Sequence, residues 1–251
     1  MRRLLFLSCL MCALLFLGAP GFAMPLVAYD FDEGSGTTAT NAGTLGVALN
    51  GTITGPTYSG DTPSGADTSL LFDGSDDFVR LVTSFSYGSA FTVEAWIKPD
   101  AVDGQRIIFD DYGNPGVVFA IVDGTLQFNI STTTHPGPGI AVFGGTISTG
   151  SWLHVAGIYD GAELRTYIDT VWTGDSAATS GNVIDNSNTS SALGSDNIAT
   201  NALNFAGRMD DFRIWDRALD PSELAAPLPE PGASVLLLLA AALTISRRTR
   251  A

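Results

Sequence analysis

Apolar side chains recur at every second position along several short segments of the chain. Residues 91–98 alternate Phe, Val, Ala and Ile with Thr, Glu, Trp and Lys, and residues 152–159 show the same period. A period of two is typical of β-strands, because successive side chains point to opposite faces of a sheet. Asp123-Gly124 and Asp160-Gly161 each separate two such segments and favour the two-residue turn of a β-hairpin.

Polar segments separate the predicted strands. Gly, Thr, Ser and Asn are concentrated in residues 34–43, 59–68, 132–139 and 176–188, which predicts long surface loops. The segment Asp220-Pro221-Ser222-Glu223 has the cap, the proline and the acidic third residue of a short helical turn. Many short strands with so little helix predict an all-β fold built as a two-sheet antiparallel sandwich.

The N-terminus has the composition of a secretory signal. Met1-Arg2-Arg3 precedes an apolar run over residues 4–17, and Gly21-Phe22-Ala23 supplies the small residues of a cleavage site. We therefore predict a signal peptide over residues 1–23, cut after Ala23. Both cysteines of the chain, Cys9 and Cys12, would leave with it, so the exported part would contain no disulfide.

The C-terminus has three parts: Pro229-Glu230-Pro231, an apolar run over residues 233–245, and a terminal cluster of arginines. As a helix the run would be about 20 Å long, short of the roughly 30 Å of a bilayer core. The order of parts resembles the PEP-CTERM sorting tail, which implies processing by an exosortase-type enzyme. A sortase signal fits less well, since Pro231 replaces its threonine, and an ordinary membrane anchor is the third reading.

These two ends divide the chain and suggest its destination. We predict a signal peptide (1–23), a sandwich domain (24–226) and a sorting and anchor segment (227–251). The protein would cross the inner membrane, contact the membrane only through its tail, and reach the cell surface or the extracellular matrix.

The region between the two ends is strongly acidic. It has seven basic and 25 acidic side chains, which give a net charge near −18. Such a charge argues against binding nucleic acid or anionic lipid.

Five segments of the middle region carry a family resemblance. They are residues 29–36, 70–79, 91–99, 150–156 and 205–219. In order and spacing they resemble the LamG-like jelly roll of the concanavalin A-like lectin/glucanase superfamily, which implies a jelly-roll sandwich. One departure is Asp169-Thr170, where the family usually has Asp-Gly.

The sequence offers little for catalysis. A glycosidase needs two carboxylates facing one cleft, and the glutamates of the middle region, Glu33, Glu94, Glu163 and Glu223, are not spaced as a pair. His135 lies in a predicted loop and His154 in a predicted strand, without the Gly-x-Ser-x-Gly elbow of a serine hydrolase. We predict that the protein is not an enzyme, and that His154 is a core residue.

The resemblance implies a calcium site where two loops meet at the rim of the sandwich. The residues in those places are Asp110, Asp111, Asn114, Asp196 and Asn197, and oxygen ligands of this kind suit Ca²⁺. A second acidic group, Asp73, Asp76 and Asp77 with Asp210 and Asp211, is an alternative ion site. All of these aspartates could instead simply form turns.

Sugar binding requires exposed aromatic rings near polar groups. The candidates are Tyr112, Trp172 and Phe143. The family positions of Trp96, Trp152 and Trp215 imply packing instead.

The sequence thus predicts an exported, non-catalytic module that binds an extracellular glycan or a surface protein with the help of Ca²⁺. A polysaccharide-active, glycoside hydrolase-like enzyme and a structural matrix protein without a ligand are the alternatives.

Overall fold

The computed structural model describes residues 24–81, 85–111, 116–184, 191–196 and 203–224. The predicted cleavage position Ala23 and the predicted sorting motif Pro229-Glu230-Pro231 lie outside these ranges. Within them, no helix has the length and apolar character needed to cross a membrane.

The described residues form two antiparallel sheets, with strands numbered in chain order. Sheet A runs in the order β14 (Val171–Ala178), β13 (Glu163–Ile168), β12 (Leu153–Tyr159), β7 (Phe91–Pro99), β16 (Ala206–Trp215), β5 (Ser69–Asp73) and β4 (Thr57–Ser59), and β1 (Val27–Tyr29) also pairs with β16. Sheet B runs in the order β11 (His135–Thr146), β10 (Thr125–Thr132), β9 (Val117–Val122), β8 (Gln105–Asp110), β15 (Ser191–Leu193), β6 (Phe78–Leu81), β3 (Gly51–Thr54) and β2 (Thr38–Ala39). The predicted all-β, two-sheet antiparallel fold is confirmed.

Helical structure in the described residues is limited to two short 3₁₀ turns, Gly46–Leu49 and Pro221–Glu223. The second was predicted from its sequence. The Asp220 side chain accepts from Ser222 N–H, and Glu223 reaches back to Asp220 N–H, which completes a capping box.

The hairpin turns follow the sequence in part. Asp123 and Gly124 both have positive φ and join β9 to β10, as a two-residue turn requires. The hairpin predicted at Asp160-Gly161 is confirmed, since β12 and β13 pair antiparallel, but three residues, 160–162, separate the two strands instead of two. The Asp160 carboxylate accepts from the N–H groups of Ala162 and Glu163 and so stabilises the longer connection.

One predicted loop is a strand. Residues 132–139, including His135, were expected at the surface as a loop, but β11 begins at His135. This strand is the edge of sheet B. Edge strands tolerate proline because one row of their backbone N–H groups has no ladder partner, and Pro136 and Pro138 are placed there.

The main core fills the space between the sheets. The odd-numbered residues of β7, from Phe91 to Ile97, all face it and are fully buried. Phe128 of sheet B meets Phe91 of sheet A with ring centroids 5.6 Å apart. Each such ring contributes about 1.5–3 kcal/mol by leaving water.

A second apolar cluster lies on the outer face of sheet A. Ala156, Ile158 and Tyr167 of the sheet pack there with Trp215, Leu219 and Leu224. The segment that follows β16 supplies the two leucines, so the C-terminal end of the described domain covers part of this face.

Candidate functional site

An acidic cavity opens on the outer side of sheet B. Asp110 ends β8 and pairs with Ala192 of β15, and Asp196 follows three residues after that strand. The cavity has a volume of about 420 Å³. Its lining residues are Asp110, Gly116, Val118, Asn129, Ser131, Pro138 and Asp196.

Asp110 is the most perturbed group of this cavity. Its residue is only 8% exposed, and its Oδ1 atom has no hydrogen-bond partner within the described ranges. Burial, then the charges of Asp196 and Asp111, raises the pKa of Asp110 to about 8. A buried carboxylate in this setting is stabilised either by a proton or by a cation.

Asp111 follows Asp110 in the chain, and its charge acts on the Asp110 carboxyl. It is buried, and its Oδ1 atom accepts a hydrogen bond of 2.5 Å from Ser191 Oγ. Of the predicted calcium ligands, the structure places Asp110 and Asp196 on one cavity, with Asp111 next to Asp110 but not in the lining. Asn114 and Asn197, and the aromatic candidate Tyr112, lie outside the described residues.

The two remaining aromatic candidates lie on different sheets. Phe143 of β11 pairs with Gln127 of β10 on the outer face of sheet B and is 48% exposed. Trp172 of β14 pairs with Tyr167, whose side chain lies on the outer face of sheet A, and is 50% exposed. Only Phe143 shares a face with the acidic cavity.

A row of paired residues connects the cavity with the ring of Phe143. Asn129 pairs with Val118, and Val118 pairs with Asp110, across three neighbouring strands. With about 4.8 Å between strands and about 3.3 Å per residue, Phe143 and Asp110 are about 16 Å apart along the sheet. A ligand that touched both would be an extended chain rather than a single small group.

Asn129 and Ser131 were not singled out from the sequence. The signal was present, since residues 126, 128 and 130 alternate with them and face the core. The neighbouring strands that complete the cavity are set by pairing between distant segments, which the alternation does not reveal.

The second predicted acidic group is two separate groups. Carboxylate oxygens of Asp73, Asp76 and Asp77 lie within 4.8 Å of one another. Asp77 Oδ2 accepts from Asp73 N–H at 2.7 Å, and Asp73 Oδ1 accepts from Ser75 N–H at 2.7 Å, so these residues stabilise a turn. Asp73 pairs with Ala206, which is about 13 Å along β16 from Asp210.

Asp210 and Asp211 instead belong to a group with Asp30 and Asp32. Burial, then the charge of Asp211, raises the pKa of Asp210 to about 8. Burial, then Asp211, raises the pKa of Asp30 to about 6. Asp211 accepts from Arg213 at 2.8 Å, so one arginine compensates part of this negative charge.

The raised pKa of Asp210 predicts a pH-dependent stability. An aspartate whose pKa is higher in the folded state binds more protons there, so the free energy of unfolding falls as the pH rises from about 4 to about 8. We expect the wild type to be less stable at pH 8 than at pH 5, and Asp210→Asn to recover about 1–3 kcal/mol of the difference. Urea denaturation at both pH values, with a chelator present, measures the free energy of unfolding of each protein.

The control is Asp216→Asn, which removes an exposed carboxylate. An equal effect of the two variants on the free energy of unfolding would contradict the prediction.

The glutamates of the described residues are occupied by structural contacts. Glu94 accepts from Trp215 Nε1 at 2.8 Å and lies 3.0 Å from His154 Nε2. Glu94 and His154 are both buried, as expected for His154.

The other glutamates have partners nearer the surface. Glu163 pairs with Arg165, and Glu223 pairs with Arg217. Glu33 accepts from Thr40 N–H and from the Tyr58 hydroxyl at 3.2 Å.

Of the other tryptophans, Trp215 packs in a buried apolar cluster as predicted, whereas Trp96 and Trp152 are half-buried and belong to neither cluster. Trp215 binds Glu94 through its indole N–H, and Trp152 donates to Asp61 Oδ1 at 3.0 Å. Trp96 packs edge-on against His154 with ring centroids 5.4 Å apart.

The chain was compared with known protein families. Residues 73–225 match the concanavalin A-like lectin/glucanases superfamily. No curated protein matches the chain.

Several solved structures are similar in fold. The binding domain of Paraclostridial Mosquitocidal Protein 1 superposes with a TM-score of 0.62 at 18% identity, over 80% of this chain and 50% of that one. Domain 4 of AbnA, a GH43 extracellular arabinanase from Geobacillus stearothermophilus solved in complex with arabinotriose, gives 0.60 at 24% identity, over 80% and 96%. The botulinum neurotoxin serotype G binding domain gives 0.58 at 12% identity, over 86% and 51%. The chain thus spans about half the length of the two toxin domains and nearly all of the arabinanase domain.

Proposed function

Because the chain belongs to the concanavalin A-like lectin/glucanase superfamily, we propose that its domain binds an extracellular glycan at the acidic cavity, with Ca²⁺, and does not catalyse a reaction. The single observation that carries this proposal is Asp110, a buried carboxylate with an unpartnered oxygen that lines an open cavity beside Asp196. Two carboxylates that line one cavity suit a divalent cation.

The proposed ligands of the ion are Asp110 and Asp196, with Asp111 as the neighbour of Asp110 in the chain. Ca²⁺ takes six to eight oxygen ligands, and the sequence prediction adds Asn114 and Asn197, which lie outside the described residues. When bound, the ion supplies positive charge and coordination positions that sugar hydroxyl groups can occupy.

The other groups of the face suit an extended glycan. The Asn129 amide lies at the cavity wall, and the half-exposed ring of Phe143 is a stacking surface about 16 Å away along the sheet. The arabinanase domain was solved with arabinotriose, and the toxin relatives are binding domains. These relatives support glycan or surface-protein binding as the role of the present domain.

The proposal of binding without catalysis rests on the glutamates. Glu94 is buried against His154 and Trp215, and Glu163 and Glu223 are held by arginines. These positions do not offer the pair of carboxylates across a cleft that glycoside hydrolysis uses.

We also propose that the domain acts outside the inner membrane. The sequence features of both ends support export, with cleavage after Ala23 and exosortase-type processing at the tail. The net charge near −18 of the middle region supports solubility there.

A glycan array with and without a chelator tests the function. The protein is recovered from the exported fraction, where N-terminal sequencing reports whether cleavage follows Ala23. We expect binding that requires Ca²⁺ and that Asp110→Asn weakens more than about tenfold. Asp216→Asn, which removes an exposed charge, should bind as the wild type does.

Other outcomes would overturn the proposal. Hydrolysis of a bound polysaccharide would make the protein an enzyme. Binding unchanged by the chelator would exclude the ion, and a flat array in both conditions would favour a protein partner or a purely structural role.

A further inference from the structure

The polar side chains of the acidic cavity present mainly hydrogen-bond acceptors. Asp110 and Asp196 line it, and an ionised carboxylate can only accept hydrogen bonds. Asn129 Nδ2 donates to Pro138 O at 3.3 Å, and the Ser131 hydroxyl donates to a backbone oxygen at 2.8 Å. Both of these side-chain donors therefore make bonds inside the protein, whereas Asn129 Oδ1 adds a further acceptor to the cavity wall.

No basic side chain belongs to the described lining of this cavity. Six of the seven basic residues of the middle region are paired with carboxylates elsewhere; they are Lys98, Arg106, Arg165, Arg208, Arg213 and Arg217. The seventh, Arg80, lies two strands from Asp110, about 10 Å along the sheet, and is not free. A bound Ca²⁺ would offset only part of the charge of Asp110, Asp111 and Asp196, so the site would stay negative.

The far end of the same face has an uncharged polar group beside its aromatic ring. Gln127 of β10 pairs with Phe143 of β11. Its side chain points outward, since Leu126 and Phe128 on either side belong to the core. Gln105 Nε2 donates to Gln127 Oε1 at 3.5 Å, which orients the amide. A neutral amide next to a half-exposed ring suits an uncharged sugar unit.

We propose that this face binds several consecutive units of an uncharged polysaccharide and rejects acidic ones. The inference rests on the proposed glycan function and narrows its substrate class. Sugar hydroxyl groups donate to the acceptors of the cavity, and the chain crosses β9 and β10 to reach Gln127 and Phe143. A uronate would instead bring an acceptor-only carboxylate against Asp110 and Asp196, and like charges that face each other weaken binding strongly.

An array of immobilised polysaccharides tests the charge requirement. The neutral probes are arabinan, galactan and methyl-esterified polygalacturonate, and the acidic probes are polygalacturonate and hyaluronan, all with Ca²⁺ present. Polygalacturonate and its methyl ester share one backbone and differ in charge. We expect the best neutral probe to bind at least about tenfold more tightly than either acidic one.

The outcomes of the array separate this inference from the function on which it rests. An acidic probe that binds within about threefold of the best neutral one would overturn the inference and leave glycan binding intact. Absence of binding to every probe would overturn both.

A positive charge placed at the far end should change the specificity. We expect Gln127→Lys to raise the affinity for polygalacturonate at least about fivefold, and added salt to cancel the gain. Ser176→Lys adds the same charge at an exposed position of sheet A and should have no effect. Equal gains in the two variants would reflect net charge alone and would overturn the proposed path of the glycan.

Chain length tests whether both ends of the face are used. Oligosaccharides of the best neutral probe are titrated from a single unit upwards, and affinity should rise with length. Phe143→Ala should weaken binding of the longest oligosaccharide about threefold or more, whereas Trp172→Ala, which removes an equally exposed ring from sheet A, should not. A single unit that binds as tightly as the polysaccharide would overturn the inference, as would equal losses in the two variants.

Discussion

Replacing Glu94 by alanine is expected to lower the free energy of unfolding by about 3–5 kcal/mol. The Glu94 carboxylate is the acceptor for Trp215 Nε1 at 2.8 Å and the partner of His154 Nε2 at 3.0 Å. All three residues are buried. Alanine would leave two polar nitrogens in a dry environment, and each unmet group costs about 1–3 kcal/mol. Urea denaturation of the two proteins measures the difference.

Two variants make this prediction specific. Glu163→Ala removes a glutamate from a half-exposed pair with Arg165, and we expect a loss below about 1 kcal/mol. Glu94→Gln keeps an oxygen that can accept from Trp215, so it should retain part of the stability that alanine loses. A loss from Glu94→Ala no larger than the one from Glu163→Ala would mean that the buried contacts contribute nothing net.

Replacing Phe128 by alanine is expected to cost a similar 3–5 kcal/mol. The ring is fully buried between the sheets and contacts Phe91 and Phe119, with centroids 5.6 and 6.0 Å from its own. It also lies directly over Gly157, where a Cβ atom would stand 2.6 Å from the Phe128 ring. This closeness explains why β12 has glycine in the middle of a buried strand.

The same closeness predicts a reversal of sign. Gly157→Ala alone should destabilise the domain by about 1–3 kcal/mol, because the ring would have to move. In the Phe128→Ala background the same change should be neutral or stabilising, since it partly fills the cavity. A double-mutant cycle by thermal or urea unfolding measures the coupling. Additive costs would show that the ring and the glycine are independent.

The alternation along β7 predicted both its strand and its two faces, because residues 91–97 obey a strict period of two. His135 and the prolines after it were assigned to a loop, since composition does not reveal that β11 is an edge strand. For the candidate site, the family resemblance placed Asp110 and Asp196, which pairing between β8 and β15 brings together. It could not show that Phe143 and Trp172 lie on opposite sheets, because that depends on which sheet each edge strand joins.

The position of β16 has a consequence for how the molecule is made. This last strand pairs with β7, β5 and β1, and β1 contains the first described strand residues of the chain. Sheet A therefore stays in two parts until residue 215 has been synthesised, and joining them brings together segments almost 190 residues apart, between Val27 and Ile214. Pairings between such distant segments form late and slowly. Sheet A thus stays incomplete until nearly all of the domain has been synthesised, which leaves time for the chain to be threaded through a narrow channel before the domain closes.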